Sequence, residues 1–373
     1  MIEIALFGKP NAGKSSFFKA ATMIDVKISP IPFTTIEPNK GATYVSTNCV
    51  CKEFNVKCNP RNGFCLNGTR FIPILLWDIA GLVKGASEGR GMGNKFLDDV
   101  RKAEALIHVV DFSGTTDENG NFTDGYNPEN DIINLENEID KWFIDVVKRN
   151  VQKVKDANVE KIHSLLSGLE VDFKDVEYCF KKFGLKDLES FAINLRKISK
   201  PIVIAANKMD LESSQANFEL LKEKYNLIPT SCEYEIALKL ASKINLINYL
   251  PGNSFEIIGK PNEKQKEALD KIKKFIEKFG STGVQKVLDY TIFNVLNYIV
   301  VYPVANENTL TDSENRVLPD AFLVKKGSTA LDLAYKIHTE IGKAFKGAIN
   351  VRNGMRVGKD YVLNNNDVIK ILV

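Results

Sequence analysis

Apolar and polar positions follow two rhythms along this chain. Ile2-Glu3-Ile4-Ala5-Leu6-Phe7 is a nearly continuous apolar run, and Phe71–Trp77, Ala105–Val110 and Pro201–Ala206 are three more. Short runs of this kind, separated by helical stretches, predict buried strands of a mostly parallel sheet with helices on both faces. Between Asp111 and Pro201 the strand signal vanishes. A Gly/Asn/Asp-rich loop, Asn119–Pro128, leads into Ile132, Leu135, Ile139, Trp142, Phe143 and Val146, which recur at three- and four-residue steps. A second stripe follows at Ile162, Leu165, Leu166 and Leu169. Two such stripes predict an antiparallel helical hairpin, an arm inserted into the sheet domain.

The rhythm changes again near Tyr302-Pro303. Beyond it come a strand-like Ala321–Val324, a capped helix from Ser328-Thr329, and short strands divided by Asn353-Gly354 and Asn364-Asn365-Asn366. That order predicts a small α+β unit with a ubiquitin-like roll. The fold class is therefore α/β, with an inserted α-helical arm and a C-terminal β-grasp unit. The expected boundaries are 1–118 and 199–300 for the two parts of the sheet domain, 119–198 for the arm and 301–373 for the roll.

Composition adds little to this picture except at the C-terminal end. No apolar run reaches the ~20 residues that cross a bilayer, and no basic, cleavable leader precedes the first strand. A cytoplasmic protein with reduced thiols and no membrane partner is expected. The net charge of +3 is too small to define a nucleic-acid binder. From Asp320 to Val373, however, nine Lys/Arg stand against five Asp/Glu, a larger surplus than that of the whole chain. This unit is either the polyanion-facing part or simply a solvated basic face.

The chemistry is concentrated at strand ends. Gly8-Lys9-Pro10-Asn11-Ala12-Gly13-Lys14-Ser15 fits G-x-x-x-x-G-K-[ST] with a strand before it and a helix after it. The glycines let the backbone curl so that successive N–H groups meet phosphate at a helix N-terminus. Gly8, Pro10, Asn11, Ala12, Gly13, Lys14, Ser15 and Ser16 are thus candidate phosphate-binding residues. Lys14 reaches the β- and γ-phosphates, and Ser15 is placed for Mg²⁺. Asp78, in Asp78-Ile-Ala-Gly81, ends the second strong strand and is a candidate to hold Mg²⁺ through water, with the Gly81 N–H free for the γ-phosphate. Within Pro32-Phe-Thr-Thr-Ile-Glu-Pro-Asn39, a threonine is expected to close over Mg²⁺ only when the γ-phosphate is present.

Asn207-Lys208-Met209-Asp210 follows the fourth strand. The Asp210 carboxylate can accept paired hydrogen bonds from guanine N1–H and its 2-amino group, donors that adenine lacks. Lys208 can lay its stem along the base, and Asn207 can tie this loop to the phosphate loop. Ser231 and Cys232, in Thr230-Ser231-Cys232, are expected to present backbone N–H groups to guanine O6. Together these residues imply a GTP/GDP-binding, Mg²⁺-dependent GTPase.

These motifs resemble the Obg-related GTPases, specifically the YchF branch with its archaeal and fungal relatives. The segments Pro32–Asn39, Asp78–Gly93 and Asn94–Asp99 are close matches to that family's switch regions, and Val317–Leu372 resembles a TGS domain. The resemblance covers nearly the whole chain and implies several roles. Thr35 matches the Mg²⁺-sensing threonine. Asn11 matches a P-loop asparagine that coordinates an activating K⁺ in related GTPases. Leu82 stands where many GTPases use a glutamine to orient water. Lys14, Asn11, Thr35 and Gly81 are accordingly the catalytic candidates. The family's association with ribosomes makes the ribosome or RNA an expected partner of the TGS-like unit. One departure bears on the substrate: typical YchF members lack a proper N-K-x-D and prefer ATP, whereas Asn207–Asp210 is intact here. A GTP preference is expected, with a YchF-like ATPase or a non-hydrolysing nucleotide sensor as the alternatives.

Cys49, Cys51, Cys58 and Cys65 crowd into one short segment. Their spacing, C-x-C-x₆-C-x₆-C, lacks the paired C-x₂-C knuckles of common zinc modules. Reduced thiols are preferred over a Cys₄ Zn²⁺ site on spacing alone. His108 lies inside an apolar strand, as a satisfied core histidine would.

Overall fold

The computed structural model describes residues 1–23, 39–79, 100–151 and 157–373. Thr35, Gly81 and Leu82 lie outside the described residues. The chain divides into two compact units. Of the described residues, the first takes 1–23, 39–41, 75–79, 100–151 and 157–287, and the second 42–74 and 288–373.

In the first unit β1 (Glu3–Phe7) leads through a glycine-bounded turn into α1 (Lys14–Thr22). β2 (Lys40–Asn48) and β3 (Phe64–Leu66) precede β4 (Thr69–Asp78), whose last four residues belong to this unit. β5 (Ala105–Asp111), β6 (Ile202–Asn207) and β7 (Leu227–Pro229) complete its sheet in the order β4-β1-β5-β6-β7. Every one of these pairings is parallel, with Leu6 opposite Asp78, Phe7 opposite His108 and Asp111 opposite Asn207. The C-terminal ends of β1, β4, β5 and β6 therefore share one edge, where open α/β sheets bind ligands.

The insertion is richer than a hairpin. It comprises α2 (Glu129–Val151), α3 (Val159–Leu165), α4 (Phe173–Phe183) and α5 (Leu188–Ser199). Leu135, Ile139 and Phe143 of α2 join Ile162, Val176, Phe191 and Leu195 in a core shared with Ala5, Phe7 and Leu106 of the sheet. Each such side chain contributes about 1.5–3 kcal/mol on burial, so the helices form a packed layer rather than a projecting arm. Farther along lie α6 (Glu212–Leu221), α7 (Cys232–Lys243), the hairpin β8 (Ile247–Tyr249) and β9 (Phe255–Ile257), and α8 (Glu263–Phe279).

The second unit is built on β10 (Tyr298–Val304), β11 (Phe322–Lys325), β12 (Gly347–Asn350), β13 (Met355–Val357) and β14 (Asp367–Leu372). Their order is β11-β10-β14-β12-β13, with β10 and β14 parallel. The helix α9 (Ala330–Ile337) buries Ala330 and Leu333 against Ile299, Val301, Val324 and Ile369. Thr329 starts it with a capping box completed by Asp332, a local device that stabilises a helix start by about 1 kcal/mol. This sheet gripping one helix is the expected β-grasp roll.

Two boundaries differ from the sequence reading. β10 places the start of the roll's sheet before residue 301. Residues 42–74, expected within the sheet domain, belong to the second unit. The Asn59 and Arg61 amides donate to the Val317 and Pro319 carbonyls, both at 2.8 Å, and the buried Arg70 guanidinium donates to the Leu318 and Pro319 carbonyls. Among the described residues no helix is long and apolar enough to cross a membrane.

Candidate functional site

The phosphate loop takes backbone angles that explain its composition. Gly8, Asn11 and Gly13 have φ of 152°, 61° and 97°, the region that favours glycine and tolerates asparagine. A Cβ on Gly13 would stand 2.2 Å from Asn207 Nδ2, and one on Gly8 2.4 Å from the Val109 carbonyl oxygen. The loop is thus free of side chains at both points where the chain closes on itself, as a phosphate cradle requires.

Lys14 is buried, and its ammonium donates to the Lys9 carbonyl at 2.8 Å. Burial lowers its pKa, and the Asp78 charge opposes that shift. Ser15, at the mouth of the loop, donates through Oγ to Asp78 Oδ2 at 3.0 Å. Burial raises the Asp78 pKa, while the Ser15 hydrogen bond and the Lys14 charge hold it down. A hydroxyl and a half-buried carboxylate side by side are hard oxygen donors of the kind Mg²⁺ takes. Pro10 and Ala12 shape the same loop. Gly120 passes so close that a Cβ there would meet Pro10 at 2.8 Å. Asn11 Nδ2 donates to the Gly120 carbonyl at 2.9 Å. Ser16 follows in the first turn of α1.

The second cluster comes from the ends of β6 and β7. Asn207 Nδ2 donates to the Ala12 carbonyl at 3.0 Å, joining the N-K-x-D loop to the phosphate loop. Asp210 Oδ1 accepts from Ser231 Oγ at 2.7 Å, and Ser231 Oγ in turn caps α7 by accepting from the Tyr234 amide. Lys208, at φ 63°, turns its ammonium onto Asp111 at 2.7 Å. The structure therefore brings Gly8–Ser16, Asp78 and Asn207–Asp210 to one edge of the sheet.

Ser231 and Cys232 take different positions from those expected. The Ser231 amide donates to the Thr282 carbonyl at 2.9 Å and the Cys232 amide to Asn207 Oδ1 at 3.4 Å. The Thr230 amide is likewise committed, to the Ala206 carbonyl. These amides brace the loop instead of pointing free toward a base. Ser231 contributes through its side chain.

Two residues that spacing did not single out complete the frame. Asp111 is fully buried at the end of β5 and accepts from Ser113 Oγ, Thr116 Oγ1 and Lys208 Nζ. Burial opposes its charge, but Lys208, Ser113 and Thr116 together hold its pKa below the ordinary carboxylate value. Lys9 is buried too, ion-paired with Asp131 at 2.8 Å and donating to the Thr116 carbonyl at 2.7 Å. A carboxylate closing the apolar run Ala105–Val110 was a readable signal for Asp111. Nothing local distinguishes Lys9 from a solvated lysine. His108 is core, stacked on Phe7 at 4.4 Å, but its Nε2 has no hydrogen-bond partner among the described residues, so it is not the satisfied histidine expected. Burial, then the Lys14 and Lys9 charges, lowers its pKa to about 3.

Comparison with known proteins agrees with this geometry. Residues 3–162 match the model of the 50S ribosome-binding GTPase family. Residues 205–306 match that of the Obg-like GTPase YGR210-like, G4 motif-containing domain, and residues 315–373 that of the TGS domain. A GTP-binding protein from Methanocaldococcus jannaschii is 50% identical, over 100% of this chain and 99% of that relative. One from Schizosaccharomyces pombe is 36% identical over 88% of each. The crystal structure of a GTP-binding protein from Pyrococcus horikoshii OT3 is 38% identical, covers 100% of this chain and 99% of its own, and superposes with a TM-score of 0.78. With the phosphate loop and the N-K-x-D loop at one sheet edge and a TGS roll beyond, the chain belongs to the Obg-like, YchF-type P-loop GTPases.

Proposed function

We propose that the chain binds GTP with Mg²⁺, hydrolyses it to GDP and phosphate, and uses the cycle to switch its engagement with the ribosome. The observation that carries this reading is the position of Asp210. Its carboxylate follows Asn207, which is bonded to the phosphate loop, and one oxygen is fixed by Ser231. The other oxygen has no protein partner among the described residues. A carboxylate held at that edge suits the paired donors of guanine and offers adenine nothing equivalent. The G4 description of the family model that spans 207–210 supports the same reading.

In hydrolysis Lys14 holds positive charge against the β- and γ-phosphates, and the loop amides of Gly8–Ser16 orient them. Ser15 and Asp78 would hold Mg²⁺, and Thr35 is assigned to it by its motif position alone. When bound, Mg²⁺ supplies charge neutralisation at the phosphate oxygens. Gly81 is assigned the γ-phosphate contact by its place in the D-x-x-G motif alone. Asn11, its Nδ2 committed to Gly120, retains Oδ1 as the oxygen for K⁺. Leu82 cannot orient water, so intrinsic turnover is slow and a partner raises it. A cytoplasmic site of action and a ribosomal partner for the TGS unit fit the relatives from Buchnera and Bacillus subtilis. Both are named ribosome-binding ATPase YchF and are 27% identical. Those names also favour one competing reading, an ATPase.

Single-turnover hydrolysis, with nucleotide-free protein in excess over GTP or ATP in Mg²⁺ and K⁺, separates the readings. GTP is expected to turn over well above the no-enzyme rate and faster than ATP. Faster ATP turnover would transfer the function to an ATPase, and no turnover of either would leave a nucleotide sensor.

A further inference from the structure

The four-cysteine segment is not used by the nucleotide site, and it lies wholly in the second unit. Cys49 and Cys51 flank Val50 at a single 3₁₀ turn, Cys58 follows in the loop, and Cys65 is the middle residue of β3. All four sulfurs lie within 4.8 Å of one another. Cys49 and Cys58 are 4.0 Å apart, and Cys51 and Cys65 are 3.9 Å apart. A tetrahedron with Zn–S bonds of about 2.3 Å has S···S edges of about 3.8 Å. The two short pairs share no residue, as opposite edges of a tetrahedron do not. No disulfide joins any of them.

Backbone contacts as well as the sulfur contacts hold this convergence. The Cys49 amide donates to the Gly68 carbonyl at 2.8 Å, and the Val56 amide to the Cys51 carbonyl at 2.9 Å. The Asn59 and Arg61 amides pair with the Val317 and Pro319 carbonyls, and Arg61 chelates Asp320 through Nε and Nη2.

An uncompensated positive charge lies beside the cluster. Arg70 is fully buried, makes no ion pair with a carboxylate among the described residues, and leaves Nε without a partner. It stands opposite Cys65 in the antiparallel pairing of β3 with β4. A buried, uncompensated guanidinium is costly, whereas a tetrathiolate around a divalent ion, formally −2, compensates it. Four neutral thiols would leave the Arg70 charge unanswered.

We propose that Cys49, Cys51, Cys58 and Cys65 bind one structural Zn²⁺ ion, a closed four-thiolate site that clamps the 49–65 loop within the second unit. Spacing alone favours plain thiols, and the folded arrangement reverses that preference. Four protein ligands leave no open position, so the ion is structural and not catalytic.

The test uses the full chain, expressed with zinc in the medium and purified under reducing conditions without chelator. Elemental analysis is expected to find about one zinc per chain, released when a mercurial blocks the thiols. Exchange with Co²⁺ is expected to give the visible d–d bands of tetrahedral thiolate ligation. Cys58→Ser and Cys65→Ser are each expected to lose the ion and the bands, while Cys179→Ser keeps both. Should the first two fail to fold, the wild-type metal content and Co²⁺ spectrum decide alone. Chain without bound metal that also gives no thiolate bands with Co²⁺ would overturn the proposal, as would iron in place of zinc.

Discussion

Asn207→Ala probes the link on which the site's geometry depends. The Asn207 side chain is buried. It donates to the Ala12 carbonyl at 3.0 Å and accepts from the Cys232 amide at 3.4 Å. Alanine removes both bonds and leaves a buried carbonyl and a buried amide unanswered, at about 1–3 kcal/mol for the first and less for the long second contact. A loss of about 2–3 kcal/mol in unfolding free energy is expected. Trp77 and Trp142, the chain's only tryptophans, both lie in the first unit, so urea titration followed by their fluorescence reads the right region. Without the bond, nucleotide must itself hold the two loops together. GTP affinity should fall about 10–100-fold, an effect of roughly 1.4–2.7 kcal/mol, while the GTP/ATP ratio changes little because Asp210 is untouched. A double-mutant cycle sharpens the test. Gly13→Ala puts its Cβ 2.2 Å from Asn207 Nδ2, so its cost should shrink when Asn207 is already alanine. Stability within about 0.5 kcal/mol of wild type, with unchanged GTP affinity, would refute the linkage.

Further expectations follow from His108 and Asn11. His108 stays neutral in the folded chain down to about pH 3, whereas the unfolded chain protonates it near pH 6.5. As pH falls below about 6.5, only the unfolded state takes up this proton, so stability is lost progressively until the folded pKa is reached. Between pH 7 and 5 this one group costs about 2 kcal/mol. His108→Leu should lose less stability over that interval by about that amount, measured by urea unfolding at both pH values, and equal losses would contradict the assignment. Replacing Na⁺ with K⁺ should accelerate GTP hydrolysis in wild type and not in Asn11→Ala, and an equal rate in both salts would remove Asn11 from the potassium role.

Much of the frame was readable because its signals are local. The phosphate loop is eight contiguous residues, and its strand and helix lie on either side. The parallel sheet showed in its apolar runs, and Ser328-Thr329 announced the capped start of α9. What escaped was non-local or locally contradictory. Lys9 finds Asp131 and Thr116 more than a hundred residues away, and no pattern near Lys9 reports that. Residues 42–74 join the second unit through carbonyls at 317–319, a pairing no local period encodes. Pro303 made Tyr302-Pro303 look like a break, since proline weakens a strand reading. β10 nonetheless continues through it between β11 and β14. The second half of the insertion hid behind its charged residues, although Gly184 at the end of α4 and Asp187 capping α5 were available stop and start signals. The amides of Ser231 and Cys232 were misassigned because their acceptors, Thr282 and Asn207, come from distant segments.

Asp210 is proposed to read guanine at the edge where the phosphate loop lies. Equilibrium binding of GTP, GDP and ATP to nucleotide-stripped protein, with Mg²⁺ in K⁺ buffer, tests it most directly. A preference for guanine nucleotides of about 100-fold or more, about 2.7 kcal/mol, is expected, abolished by Asp210→Ala while ATP affinity stays unchanged. Equal or tighter ATP binding, or a guanine preference that survives Asp210→Ala, would contradict it.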